Sequence, residues 1–193
     1  MPKLGMEPIR REALVKATIA EVGRTGSLDV TVSQIARTAG MSSALAHHYF
    51  GAKEQIFDAA MRHILALYAA EVKAALAGAE TPRARVEAIV RASFAPPNFQ
   101  AEVVSAWLSF YVRAQMPGEA RRLLRVYQRR LRSNLLFGLR PLVGAGAPAV
   151  ADTLAALIDG LYIRAALGEG TPDGAAAVDC ALGVLDRLLG ERR

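Results

Sequence analysis

Apolar side chains recur three and four positions apart along nearly the whole of this 193-residue chain, and no stretch alternates apolar with polar long enough to make a strand. That period predicts helices throughout. A first helix opens near Pro8, a residue suited to a first turn, and runs to about Arg24 ahead of Gly26. Two short helices fall within residues 31–50, broken at Gly40. A fourth starts at Ala52 or Lys53 and passes through Ile56, Phe57, Ala60, Ile64, Leu67 and Tyr68 to Gly78, about seven turns. Thr81-Pro82 caps and opens a fifth, which stops before Pro96-Pro97. A sixth covers about 99–115, and Pro117 opens a seventh that ends near Pro141. The last two, about 149–167 and 172–189, are joined through Gly168-Glu-Gly-Thr171. The expected fold class is all-α.

Local signals are densest between 31 and 50. Thr31 caps the first short helix, and Gln34 three residues on completes a capping box. Ile35, Ala36 and Ala39 face a small core, and Gly40 leaves the helix where positive φ is often needed. Met41 plugs the space between the helices, and Ser42 caps the second. In that second helix Ala46 and Phe50 point inward, Ser43, Ala44, Leu45 and His47 outward, with Tyr49 flanking. This is the layout of a helix-turn-helix, which lays its second helix in the DNA major groove. The same turn also occurs in bundles with no DNA role.

The last two helices carry wide apolar arcs: Val150, Leu154, Leu157, Leu161 and Ala165 on one, Val178, Leu182, Leu185 and Leu189 on the other. Such arcs are buried in the core or against another subunit. The apolar fraction of 52%, much of it alanine and leucine, allows an ample helical core. Cys180 is the only cysteine, which excludes an intrachain disulfide and reads as a small buried apolar residue. The amino terminus carries Lys3, Glu7, Arg10 and Arg11 without the apolar segment of a signal peptide. The apolar run from 154 to 167 contains Asp159 and Arg164 and is too short for a bilayer. A soluble, cytoplasmic protein without a membrane partner is expected.

The formal charge is +6, but its location matters more. Residues 1–53 hold seven basic and four acidic side chains, whereas 113–140 hold eight arginines and one acid, Glu119. That second stretch reads as an amphipathic helix with a solvated or partner-facing side, or else as a second nucleic-acid patch. His47 and His48 are adjacent, so they point about 100° apart on a helix. Neither they nor His63 has cysteine or paired carboxylates at ligand spacing, so no metal or other cofactor is expected. Enzyme signatures are missing too: there is no Gly-x-Ser-x-Gly, no Walker lysine and no Cys/His pairing.

The run Gly40-Met-Ser, then His48-Tyr-Phe50 and Lys53, resembles the TetR family of regulators. The resemblance extends over the amino terminus, 106–111, 129–135 and 156–167, where it is closest to the choline-sensing repressors of that family. It implies an N-terminal three-helix DNA-binding domain over 1–52 and a C-terminal helical ligand-binding and dimerisation domain over 53–193. The implied partners are double-stranded operator DNA, a second copy in a homodimer, and a small cationic effector, choline or a relative. Tyr49 and Lys53 are then phosphate contacts, and Ser43, Ala44 and Leu45 face base edges. Thr31, Ser42, His47 and His48 complete the DNA-binding set, although the family usually has tyrosine where His47 stands. Lys3, Arg10 and Arg11 form either a basic tail on the DNA or a solvated terminus.

Trp107, Phe110 and Tyr111 lie at i, i+3 and i+4 of one helix, and Asp159 and Tyr162 three apart on another beside Ala155 and Ala166. Aromatics at this spacing usually pack a core. With a carboxylate nearby they also suit a quaternary ammonium ligand, which is held by ring faces and charge. Asp159 needs a partner, which is the ligand, Arg164 or an arginine of the seventh helix. The resulting expectation is a repressor of choline-to-glycine-betaine genes, released by choline. The alternatives are a repressor sensing another cationic or hydrophobic molecule, or a helical binding protein without a DNA role.

Overall fold

The computed structural model describes residues 5–190, so Lys3 lies outside the described residues. The helices are α1 (Met6–Thr25), α2 (Val32–Thr38), α3 (Ser43–Phe50), α4 (Lys53–Ala77), α5 (Pro82–Ser93), α6 (Ala101–Arg113), α7 (Glu119–Val143), α8 (Ala147–Leu167) and α9 (Gly174–Leu188). A single 3-10 turn, Gly144–Gly146, joins α7 to α8. No strand occurs among the described residues, so the fold is all-α as expected.

Two boundaries differ from the sequence expectation around the prolines. Pro117 stays outside α7, because Gly118 at φ +147° breaks the chain before Glu119. Pro141 sits inside α7, which continues to Val143. A proline removes one helix hydrogen bond, and in a last turn that loss does not end the helix.

Helices α1, α2 and α3 pack with the start of α4 around Leu14, Ile35, Ala36, Ala46, Phe50, Ile56 and Phe57, all buried. Glu21 of α1 fastens α2 to this core: Thr38 Oγ1 donates to it at 2.8 Å and Arg24 pairs with it at 2.8 Å. The remaining helices form a bundle in which α5 packs on α7 and α4, α8 on α7 and α6, and α9 on α8 and α5. Residues 119–167 have the length and apolarity of a membrane span by composition. They are two helices, folded on each other at the 3-10 turn and interrupted by Asp152, Asp159 and Arg164.

One core runs through both parts, because α1 lies along α6 and α4 belongs to each. The contact of α1 with α6 is made close by Gly23, where a Cβ would fall 2.4 Å from the Glu102 carbonyl oxygen. Gly23→Ala therefore pushes the two helices apart, at a cost of about 1–3 kcal/mol. Thermal melting should show a clear loss for Gly23→Ala and none beyond about 1 kcal/mol for Gly78→Ala, whose methyl meets nothing within 4 Å.

Candidate DNA interface and ligand cavity

The turn between α2 and α3 is built as its residues dictate. Gln34 N–H donates to Thr31 Oγ1 at 3.2 Å, and Thr31 N–H donates to Gln34 Oε1 at 2.7 Å, closing the capping box. Gly40 takes φ +67°, and Leu45 N–H donates to Ser42 Oγ at 3.2 Å. Thr31 and Ser42 thus use their hydroxyls as caps. Ser43 Oγ donates across the turn to Ser33 Oγ at 2.9 Å. On α3, Ala46 and Phe50 are buried, Ala44, His47 and His48 exposed, and Ser43, Leu45 and Tyr49 half-buried.

His47 Nδ1 lies 2.8 Å from the Gly51 carbonyl oxygen, so this imidazole closes the C-terminus of α3. Arg10 and Arg11 are part of α1 rather than a loose tail. Arg10 donates to the Tyr49 hydroxyl at 3.3 Å, and the Arg11 guanidinium lies 5.2 Å from the Phe50 ring centre. Lys53, the first residue of α4, holds its ammonium 5.3 Å from the Phe57 ring. These cations surround the aromatic end of α3.

A second site lies inside the bundle. Ile64, Leu65 and Tyr68 of α4, Asn98 of the α5–α6 loop, Trp107 of α6, Tyr127 of α7 and Tyr162 of α8 line a small cavity. The space open to a water-sized sphere is about 20 Å³, room for roughly one water. Tyr127 meets Trp107 edge-on at 5.3 Å and Tyr68 at 5.4 Å. The Tyr162 hydroxyl donates to the backbone carbonyls of Ser93 and Asn98, which fixes its ring in the wall.

Of the five residues singled out for the ligand, Trp107 and Tyr162 are on that wall. Phe110 is not: it is fully buried in the core. Successive helical positions turn by about 100°, so Phe110 points away from the direction Tyr111 takes. Tyr111 and Asp159 do not line the cavity either, but each touches a residue that does: the Tyr111 ring meets Trp107 edge-on at 5.3 Å, and Asp159 accepts from Tyr127. Tyr68, read in the sequence only as part of the fourth helix, and Tyr127 were not among the ligand candidates. Tyr127 stands on the buried stripe Ala120, Leu123, Leu131 and Leu135 of the arginine-rich helix, and a hydroxyl on such a stripe was the available signal.

Asp159 finds its donor in Tyr127, whose hydroxyl reaches Oδ1 at 3.2 Å, and not in an arginine. No lysine or arginine pairs with Asp159 among the described residues. Burial raises its pKa above the ordinary carboxylate value, and the Tyr111 and Tyr127 hydroxyls pull it back. Tyr111 is near enough to act on the charge, yet its buried hydroxyl makes no aligned hydrogen bond. Burial also pushes Tyr68 up to about 12 and raises Tyr111, Tyr127 and Tyr162, so all four phenols remain neutral donors at pH 7.

The apolar stripe of α8 is rotated from the expected one. Val150 and Leu154 are buried with Ala151, Ile158 and Tyr162, whereas Leu157, Leu161 and Ala165 are half-buried. Ala156, Ile163 and Leu167 are left exposed, Leu167 at 72%. Cys180, expected inside, is exposed on the outer side of α9 beside Ala176. Helix α9 turns Ala177, Ala181 and Leu185 to the core, which places Cys180 on the other side.

Comparison with known proteins agrees with this arrangement. Residues 14–60 match the family model for bacterial regulatory proteins of the tetR family, and 82–190 match the model for the C-terminal part of BetI-type transcriptional repressors. The chain is a TetR-family transcriptional regulator with a BetI-type C-terminal domain. It is 51% identical over 179 residues to the HTH-type transcriptional regulator BetI of Brucella anthropi, covering 92% of each chain. It is 55% identical over 168 residues to that of Rhizobium meliloti, covering 86% of this chain and 83% of that one. A regulator from Saccharomonospora viridis, solved in complex with choline, shares the fold at a TM-score of 0.77 and 22% identity, over 91% of this chain and 95% of that one. Members of the family bind operator DNA as dimers and are regulators, not enzymes.

The half-buried Asp159 carboxylate makes the stability of this regulator depend on pH. Its folded pKa is raised, so its contribution to stability is full below 3.8, the ordinary value, and is lost as pH rises through the raised one. Asp159→Asn removes that loss. In the empty regulator the variant should melt at or above the wild type at neutral pH, with the difference closing toward pH 4 (about the ordinary value). A much lower melting temperature at neutral pH would show the charge to be paired in the fold.

Proposed function

We propose that the regulator is a choline-responsive repressor of genes that convert choline to glycine betaine, and that it acts in the cytoplasm as a homodimer. The observation that carries this reading is Asp159, a half-buried carboxylate with no cationic partner among the described residues, hydrogen-bonded to Tyr127 of the aromatic wall. A partly desolvated charge of this kind is costly unless something compensates it. A quaternary ammonium group suits the site because it has no N–H to donate and is held by ring faces, each desolvated contact contributing about 2 kcal/mol. The names of the relatives and the choline bound to the Saccharomonospora viridis regulator support the same choice.

In this reading residues 1–52 read DNA and 53–193 sense and dimerise. Tyr49 and Lys53 hold phosphates, with Thr31, Ser42, His47 and His48 alongside. Ser43, Ala44 and Leu45 face base edges, where the two apolar residues suit thymine methyl groups. The second copy covers the exposed face of α8 and α9 at Ala156, Ile163, Leu167 and Cys180. Two recognition helices roughly 34–36 Å apart then read successive major grooves.

Calorimetric titration with choline and with its neutral carbon isostere tests the sensor. Choline should bind and the isostere should bind at least about tenfold more weakly, a difference of roughly 1.4 kcal/mol. Equal binding would point to a hydrophobic effector, and binding of neither would remove the choline assignment. On the DNA side, Lys53→Ala should weaken operator binding for all sequences alike and lower the slope of log K against log salt by about 2, roughly one contact from each copy of the dimer. An unchanged slope would take Lys53 off the phosphates.

A further inference from the structure

The cavity lining includes Tyr127 but does not include the half-buried Asp159 carboxylate. The Tyr127 hydroxyl donates to Asp159 Oδ1 at 3.2 Å, so a phenol connects the cavity wall to the carboxylate. Its ring is held there by the edge contacts with Trp107 and Tyr68, which line the same cavity.

A phenol that donates its proton toward a carboxylate is polarised by it, and its oxygen and ring become more negative than those of a free phenol. Such a ring attracts a cation more strongly, because the attraction follows the charge on its face. Resting on the reading of a cationic effector given above, we infer that Asp159 sets the charge requirement of the site without touching the effector, acting through the hydroxyl and ring of Tyr127. Tyr127 is then a binding residue and Asp159 a positioning one. Without the Tyr127 hydroxyl the carboxylate also loses its one aligned donor, which favours its protonated, uncharged form.

Tyr111 serves as the internal control. Its hydroxyl faces the same carboxylate without an aligned hydrogen bond, and its ring is off the cavity wall.

The experiment is a double-mutant cycle read by calorimetry with choline and with the neutral carbon isostere, using Tyr127→Phe, Asp159→Asn and the double variant. Each single variant should weaken choline about tenfold and leave the isostere nearly unchanged, and the double should be no weaker than either single. Tyr111→Phe should change choline binding less than Tyr127→Phe. A merely structural role would weaken both ligands together and overturn the inference. So would penalties that add in the double variant, or tighter choline binding by Tyr127→Phe, which would mean that the effector displaces the hydroxyl and meets the carboxylate directly. Failure of the underlying reading looks different: the wild type itself would not distinguish choline from the isostere.

Discussion

A carboxylate inside a helical bundle constrains everything around it, because its charge must be compensated or its proton kept. Asp159 accepts here from the Tyr127 hydroxyl and pairs with no cation among the described residues. Hydroxyls satisfy a carboxylate's hydrogen bonds while leaving its net charge in place. The region therefore carries an unneutralised charge, and Tyr127, which donates to it, shares the cavity lining with the rings of Trp107 and Tyr68. Four different helices supply the wall, so its shape depends on how the whole bundle packs.

Those same helices reach the DNA-binding part. Helix α4 carries Tyr68 at the cavity and Lys53 at its first turn. Helix α6 carries Trp107 and, at its start, the Glu102 backbone against which Gly23 of α1 is pressed. Helix α7 carries Tyr127, and its Glu119 lies 3.5 Å from Arg62 of α4. The cavity holds room for roughly one water, so a trimethylammonium group has to move at least one of these helices to enter. A close-packed core yields by shifting helices as units, so a cation entering here would act on the helices that lead to the DNA-binding part.

The helix-turn-helix was legible because its determinants are local. Thr31 with Gln34, Gly40 and Ser42 fix caps and a turn within a dozen residues, and each does so in the structure. The sensor was half legible. Trp107 and Tyr162 line the cavity, but Phe110 was grouped with Trp107 and Tyr111 on spacing that spans about 100° of the helix. Tyr68 and Tyr127 come from distant segments, and only tertiary packing brings them to Trp107. Asp159 announced itself as a polar residue in an apolar helix, while the identity of its donor, Tyr127 and not an arginine, depended on how α7 rotates against α8. Cys180 misled for a related reason: a small residue in an apolar helix reads as core, and the outer side of α9 is apolar as well.

If a cation is the effector, the cavity and the operator compete for different arrangements of the same helices. Measuring operator affinity at increasing choline concentration tests it most directly, since two ligands of one protein must alter each other's affinity by the same factor. Saturating choline should weaken operator binding by about tenfold or more, and operator DNA should weaken choline binding to the same degree. Choline that binds while operator affinity stays unchanged, or rises, would contradict it.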